Sequence, residues 1–430
     1  MKYTQKIKKQ LKKRKSLKKF TYKSKKSDLG RKYYYLIRSD YFSKSRYNDV
    51  IDPLSLYFLK RGNWEEFNEK KPQQKTPDFL YVDTTNIHDK SLWKYTIPLI
   101  NNMDIKNLRD SIFNKYKLHD ILSKTILNKK HLLDQIHINL YDVFVKSSDD
   151  KIYDAIDKYK KFFTEHKVNI LKPIYGNSGS DIKAFDNFDE CKAYLIDYIN
   201  KNKEYLKSFN LEKYNKISHA NLAFFPKIEW VLQEYINSPL LFQGYKFHLR
   251  GHVVYYNKAG KLSIYLYDDM RVITAKKPYK QKDYGDKAVH DTHAILSIHN
   301  KLTFKRDIVN EIGKDKADYI FKQLIDIAKN MSHTVDIACY PENKNCFHVC
   351  GFDIMITEDY IVKIIENNHR GTIGANFKPK NPSKLSLTEI EKEYETIFNY
   401  KLISSIYSKF VDDVFTPKNK QPRNENFIEL

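Results

Sequence analysis

Residues 229–256 read EWVLQEYINSPLLFQGYKFHLRGHVVYY. Glu229–Ile236 is rich in apolar and β-prone residues, and so is Lys246–Tyr256. Pro239 interrupts the segment between them. In the second run, strand alternation puts Lys246, His248 and Arg250 on one face and Phe247 and Leu249 on the other. Three basic side chains on one face repel each other unless an anion joins them. A triphosphate satisfies such a face, and an arginine offers two-point recognition of its oxygens. A solvent-facing side of an antiparallel strand satisfies it too, and spacing alone leaves both open.

Two further stretches belong with this one. Downstream, Gly351-Phe352-Asp353-Ile354-Met355-Ile356 and Ile361-Val362-Lys363-Ile364-Ile365-Glu366-Asn367-Asn368 read as a hairpin turning at Glu358-Asp359. Glu366 and Asn368 are two apart and share a face, with Asp353 on the neighbouring strand. Two carboxylates and an amide oxygen are hard ligands suited to Mg²⁺ on phosphates. A carboxylate closing the apolar run IVKIIE is costly to bury without a cation. Upstream, Ile170-Leu171-Lys172-Pro173-Ile174-Tyr175-Gly176-Asn177-Ser178-Gly179-Ser180-Asp181 places a lysine at a strand end beside a loop with two glycines. Small residues there let backbone N–H groups approach phosphate oxygens. No Gly-Lys-Ser/Thr follows, so this is not a Walker A loop, and a lysine in a plain turn fits as well. Cys339, Cys346, His348 and Cys350 form a compact group without a paired CxxC knuckle, and structural zinc is not expected. HExxH and GxSxG are absent, which removes those hydrolase signatures.

The whole chain has 430 residues, 41% apolar and 30% charged, with 33 Tyr and 25 Phe, which excludes wholesale disorder. No eighteen-residue apolar run occurs, so no membrane span is expected. The start is basic without an apolar segment, so no secretory signal is expected; with 4 Cys a reducing compartment is the default. The net charge is +23, and residues 1–32 carry fifteen Lys/Arg against Asp28, hence +14, leaving +9 for the rest. Residues 1–32 read as a basic, disordered arm able to hold polyanions non-specifically or to act as a nuclear address. The order of elements is mixed, so the fold class is α+β. Helices are expected near Ile51–Lys60, Ile105–Leu127, Tyr153–Glu165, Phe188–Phe209 and Arg306–Asn330, with a last one from Ser386, boxed by Glu389, to before Pro417. Strands are expected at Tyr33–Ile37, Ile136–Val145, Val168–Leu171 and Lys261–Tyr267 besides those above.

Taken together and in this order, these segments resemble the tubulin–tyrosine ligase-like family of ATP-grasp amino-acid ligases. LQEYINSPLLFQGYKFHLRGHVV (232–254) is similar to its long signature. His290-Asp291-Thr292-His293 is similar to its His-Leu-Thr-Asn, and FHVCGFDIMI with IVKIIENN to its paired terminal strands. YYYLIRSDYFSKSRYNDV and LKRGNW are similar to its N-terminal domain. The resemblance implies ATP-grasp architecture: an N-terminal α/β domain (33–125), a central subdomain (126–228), a C-terminal subdomain with the metal site (229–380), and a terminal helix and tail (381–430). It implies ATP and Mg²⁺ as cofactors. Lys172 and Lys115 would hold the α- and β-phosphates. Gln233 and the backbone of Glu234, Tyr235 and Ile236 would meet adenine, with Lys246 near the nucleotide. His248 stands where the family usually has Asp, at the ribose or metal side. Arg250 and Arg271 would act on the γ-phosphate and an acyl-phosphate, Asp353, Glu366 and Asn368 would bind Mg²⁺, and Thr292 would lie near the incoming amino acid. The loop Ser178–Asp181 lacks the family's Arg-Gly, and Asn368 is followed by His369-Arg370-Gly371 instead of Ser-Pro. The activity implied is ligation of a free amino acid to an acidic protein substrate, such as a tubulin-like tail; a monomer is expected, and the missing signals alone make the expected place cytoplasmic, with a nuclear one left open. The rival is a catalytically degenerate ATP-grasp protein that binds nucleic acid or another polyanion.

Overall fold

The computed structural model describes residues 32–37, 58, 61, 63–67, 76–82, 97–101, 103–125, 129–145, 152–175, 181–216, 222, 225–282, 284–292, 301–339, 345–369, 398–416 and 425–430. The basic arm before Lys32, the glycine loop 176–180, His293 and the expected capping box at Ser386 lie outside the described residues. The chain divides into two compact units, residues 1–101 with 374–422, and residues 102–373 with 423–430.

In the first unit, β1 (Lys32–Ile37) pairs in parallel with β2 (Trp64–Glu66) and with β3 (Phe79–Val82), and β3 pairs in parallel with β4 (Leu99–Asn101). Parallel strands need cover on their faces. Phe58, Trp64, Phe79 and Tyr407 supply an aromatic cluster, with Phe58 4.7 Å from Trp64 and 5.8 Å from Tyr407 between ring centres. Tyr407 follows the helix Phe398–Ile406, and the helical run continues to Phe415, together the described part of the expected last helix. Arg61 is ion-paired with Asp412 beyond it.

The second unit holds the segments quoted above. It opens with β5 (Asp104–Ile105) and α1 (Lys115–Leu122). A small antiparallel sheet follows, in the order β6-β9-β7-β8: β6 (Gln135–Asn139), β7 (Asn169–Pro173), β8 (Lys183–Phe185) and β9 (Glu229–Glu234). Helix α2 (Phe188–Lys201) buries Phe188, Cys191, Leu195 and Ile199, one stripe at helical spacing. The expected strand Ile136–Val145 is corrected: it stops at Asn139, and Leu140–Val145 is helical. The reason is local. The Asn139 side chain accepts from the N–H groups of Tyr141 (3.0 Å) and Asp142 (3.2 Å), which caps a helix that the β-prone composition of LYDVFV conceals.

The larger sheet is built on β11 (Tyr245–Lys258). It pairs antiparallel with β10 (Leu241–Phe242), β12 (Lys261–Tyr267) and β13 (Arg271–Thr274), and with β15 (Asn345–Ile356) on its other side. A short β14 (Ile337–Ala338) pairs with β5, β16 (Val362–Asn368) with β15, and β17 (Phe427–Glu429), read as tail, with β12. Helix α3 (Lys287–His290) lies between β13 and α4 (Lys314–Ser332). The expected helix Arg306–Asn330 is broken at Gly313, whose φ of +84° only glycine adopts readily. Cys339 and Cys346 form a disulfide with Cα atoms 5.9 Å apart, so they are not a metal-binding pair.

Candidate active site

The sheet register lines up charge. Arg271 faces Arg250 across β13 and β11, Arg250 faces Asp353 across β11 and β15, and Asp353 faces Glu366 across β15 and β16. Residues directly opposite in a sheet share a face. One row across four strands therefore reads cation, cation, carboxylate, carboxylate. Arg250 grips Asp353 with Nε and Nη2, the latter at 2.6 Å from Oδ2. This two-point pairing is the geometry a guanidinium favours. Asp353 is 1% exposed. Burial and repulsion from Arg250 lower Arg271 to about 10, partly offset by Asp353. His252, two residues beyond Arg250 on the same face, is held neutral: burial and both arginines lower it to about 3.

A β-bulge between Asp353 and Ile354 makes Glu366 and Ile364 the partners of consecutive residues, so Ile365 is extra. Its carbonyl accepts from Lys172 Nζ at 3.3 Å. Lys172 also donates to Gln233 Oε1 at 2.9 Å, and burial lowers it to about 8. Lys115, first residue of α1, is 3.4 Å from Glu366 and donates to the Ile174 carbonyl at 3.3 Å. Asn368 Nδ2 donates to Glu366 Oε1 at 3.3 Å. On the other arm of the site, Lys246 Nζ donates to the Tyr235 hydroxyl at 3.0 Å and lies 4.2 Å from its ring centre. Burial lowers it to about 7, with Asp291 opposing. The Tyr235 hydroxyl is 2.7 Å from His290 Nδ1, and burial raises its pKa well above the usual phenol value. His248 Nδ1 is 2.6 Å from Thr292 Oγ1, and its Nε2 is 3.8 Å from Asp353.

Part of this set lines a cavity of about 480 Å³. Gln233, Glu234, Tyr235, Ile236, Lys246, His248, Thr292 and Asp353 are on its wall. Lys172, Lys115, Arg250, Arg271, Glu366 and Asn368 are not, and join through the contacts and strand register just given. Sequence reasoning missed Lys183, Asp186 and Tyr284, which also line it. They come from β8, the residue after it and the segment before α3, and no short motif contains them. The oxygens of Asp353, Glu366 and Asn368 fit a hard divalent cation such as Mg²⁺. Lys172 and Lys246 are buried and Arg250 and Arg271 half-buried, more cations than those carboxylates, and an anion would balance the excess.

The mixed α+β fold that carries this charged cavity is of the ATP-grasp class. The solved structure of the C-terminal domain of K. lactis Pby1, described as an ATP-grasp enzyme interacting with the mRNA decapping enzyme Dcp2, shares the fold. It aligns with a TM-score of 0.53 at 18% identity, over 92% of this chain and 98% of that one. The model of the tubulin-tyrosine ligase family matches residues 97–390. The chain belongs to that family. It is similar to the "Probable tubulin--tyrosine ligase PBY1" of Saccharomyces cerevisiae, 23% identical over 341 residues, 71% of this chain but 44% of that protein. It is 24% identical over 317 residues to the "Probable tubulin--tyrosine ligase C12B10.04" of Schizosaccharomyces pombe, covering 70% of this chain and 73% of that one. Tubulin polyglutamylase TTLL13 of Homo sapiens matches at 25% over 173 residues, 34% of this chain and 21% of that protein. Among the described residues, no helix is long and apolar enough to cross a membrane.

Proposed function

We propose that this chain is an ATP- and Mg²⁺-dependent ligase that joins an amino acid to a protein acceptor through an acyl-phosphate. The observation that carries the reading is the row Arg271-Arg250-Asp353-Glu366, with Lys172 and Lys246 buried near it. A carboxylate is a poor acyl donor. Its oxygen takes the γ-phosphoryl group and ADP leaves; an amine then attacks the carbonyl carbon, a C–N bond forms, phosphate departs and the amine's proton goes to water. Lys172 and Lys115 hold the inner phosphates, and Arg250 and Arg271 neutralise charge on the oxygens of the transferring group. Asp353, Glu366 and Asn368 would hold Mg²⁺, which when bound draws charge from the phosphate oxygens. Gln233 and the backbone of Glu234–Ile236 meet the base, Lys246 and His248 flank the nucleotide, and Thr292 orients the amino acid. The reaction needs no protein nucleophile, consistent with the missing serine and cysteine motifs.

An acidic tail of the tubulin kind is the proposed acceptor, since the chain is strongly basic and relatives carry tubulin polyglutamylase names. The test supplies labelled Tyr, Glu or Gly with ATP, Mg²⁺ and candidate acceptors, and locates the adduct by mass spectrometry. ATP-dependent incorporation, lost in Glu366→Gln with the fold intact, supports the reading. No incorporation, with salt-sensitive polyanion binding unchanged by Asp353→Ala, hands the chain to the degenerate, polyanion-binding alternative.

A further inference from the structure

Gln135 matches no motif and is not on the cavity wall, yet it is coupled to a residue that is. On β6 it sits directly opposite Gln233 of β9. Its Nε2 donates to the carbonyls of Tyr116 (2.7 Å) and Lys115 (3.3 Å) in α1. Carbonyls only accept, so the NH₂ end of Gln135 must face them and its Oε1 must face away. That Oε1 accepts from Gln233 Nε2 at 3.2 Å. Gln233 therefore turns its own Oε1 the other way, where Lys172 Nζ donates to it. The carbonyls at one end and the ammonium at the other demand the same polarity of both amides.

We propose that Gln135 is a positioning residue that sets base selection by fixing Gln233 with its oxygen as the free valence of the pair. This rests on the reading of the cavity as a nucleotide site. A carbonyl oxygen has two lone pairs, and Lys172 uses one. The other suits a purine whose 6-position donates, the exocyclic amine of adenine, and opposes one whose 6-position accepts, the 6-oxo group of inosine or guanine. Lys172 alone is a weak guide, because its three donors are wanted by phosphate. Gln135, tied to the backbone of α1, holds Gln233 throughout.

The test compares ATP with inosine triphosphate, at equal Mg²⁺, by calorimetric binding to the full chain. Inosine changes the 6-amino group to 6-oxo and adds no 2-amino group. The wild type should favour ATP by about tenfold or more, since a mismatched base leaves buried polar groups facing like partners. Gln135→Leu frees Gln233 to turn over, and the preference should fall to within about twofold. Gln135→Met gives the same reading should the leucine variant fail to fold. Gln135→Glu keeps an acceptor for Gln233 Nε2 but sets a carboxylate against two carbonyls. It should lose thermal stability while keeping the preference, a dissociation that a merely structural role does not produce. An unchanged ratio in the Leu and Met variants, or an equal shift in all three, overturns the proposal. A wild type that binds ATP and inosine triphosphate equally overturns it while leaving the nucleotide reading standing. A wild type that binds neither overturns both.

Discussion

Lys246 holds its amine almost wholly buried at the cavity wall, against a tyrosine ring and hydroxyl. Burial pulls it from 10.5 to about 7, and pulls Lys172 from 10.5 to about 8. The sign of the consequence is fixed. Each folded value lies below the unfolded one, so the unfolded chain binds more protons between about 7 and 10.5, and these groups make the empty protein more stable as pH rises through that window. A bound triphosphate favours the charged form and reverses the load. ATP binding should therefore take up protons near pH 8 and weaken as pH climbs toward 9. Calorimetry in buffers of different ionisation enthalpy measures the uptake, and its absence would contradict the lysine roles. Lys246→Met should raise the melting temperature of the empty protein at pH 6 and weaken ATP binding by about tenfold or more. A second residue is constrained by space. A Cβ on Gly251 would lie 2.4 Å from the ring of Phe352, its register partner, which is fully buried. Gly251→Ala should cost about 1–3 kcal/mol in chemical denaturation. Adding Phe352→Leu should recover part of that loss, because the two sites share one space.

At the scale of the element, α1 is small but carries Lys115 at its first position. Its cap is Asn114, whose side chain accepts from the N–H groups of Tyr116 (2.9 Å) and Lys117 (3.2 Å). Asn114→Ala should cost about 1 kcal/mol of stability and loosen the Lys115–Glu366 pair, while Asn114→Asp keeps the cap. Thermal melts, with ATP affinity measured beside them, check both halves. What the sequence disclosed about elements follows from what each depends on. Lys261–Tyr267 was legible to the residue, because a β-prone run is a local signal. The central strands β11, β15 and β16 were legible for the same reason, and with them Arg250, Asp353 and Glu366. The four-residue β13 was too short to read as a strand, although Arg271 itself was singled out. Leu140–Val145 was misread because composition speaks for strand, and a single capping side chain decides otherwise. The bulge at Ile365 and the amide pair Gln135–Gln233 were invisible. The bulge is one extra residue inside a hairpin whose local pattern reads the same with or without it, and the amide pair arises from register between segments 98 residues apart.

At the scale of the molecule, charge is distributed unevenly. Of the net +23, residues 1–32 supply +14, so removing residues 1–31 takes away that charge less Lys32, or +13, and leaves β1 whole. The proposed chemistry is confined to residues 115–368, all in the second compact unit. On that proposal the arm would act on encounter and not on the chemical step. Long-range attraction between a basic arm and an acidic acceptor raises the association rate by about ten- to a thousandfold at low ionic strength, and salt screens it over about 10 Å at 0.1 M. Deleting residues 1–31 should therefore leave kcat at saturating acceptor unchanged. It should lower kcat/KM for an acidic protein acceptor by about tenfold or more at low salt, and the deficit should close as salt rises toward 0.5 M. A short acceptor peptide of no net charge should be used equally well by both forms. Steady-state rates at three salt concentrations, with acidic and neutral acceptors side by side, separate the cases. A fall in kcat itself, persisting at high salt, would place part of the arm at the reacting groups and refute its role as an electrostatic guide.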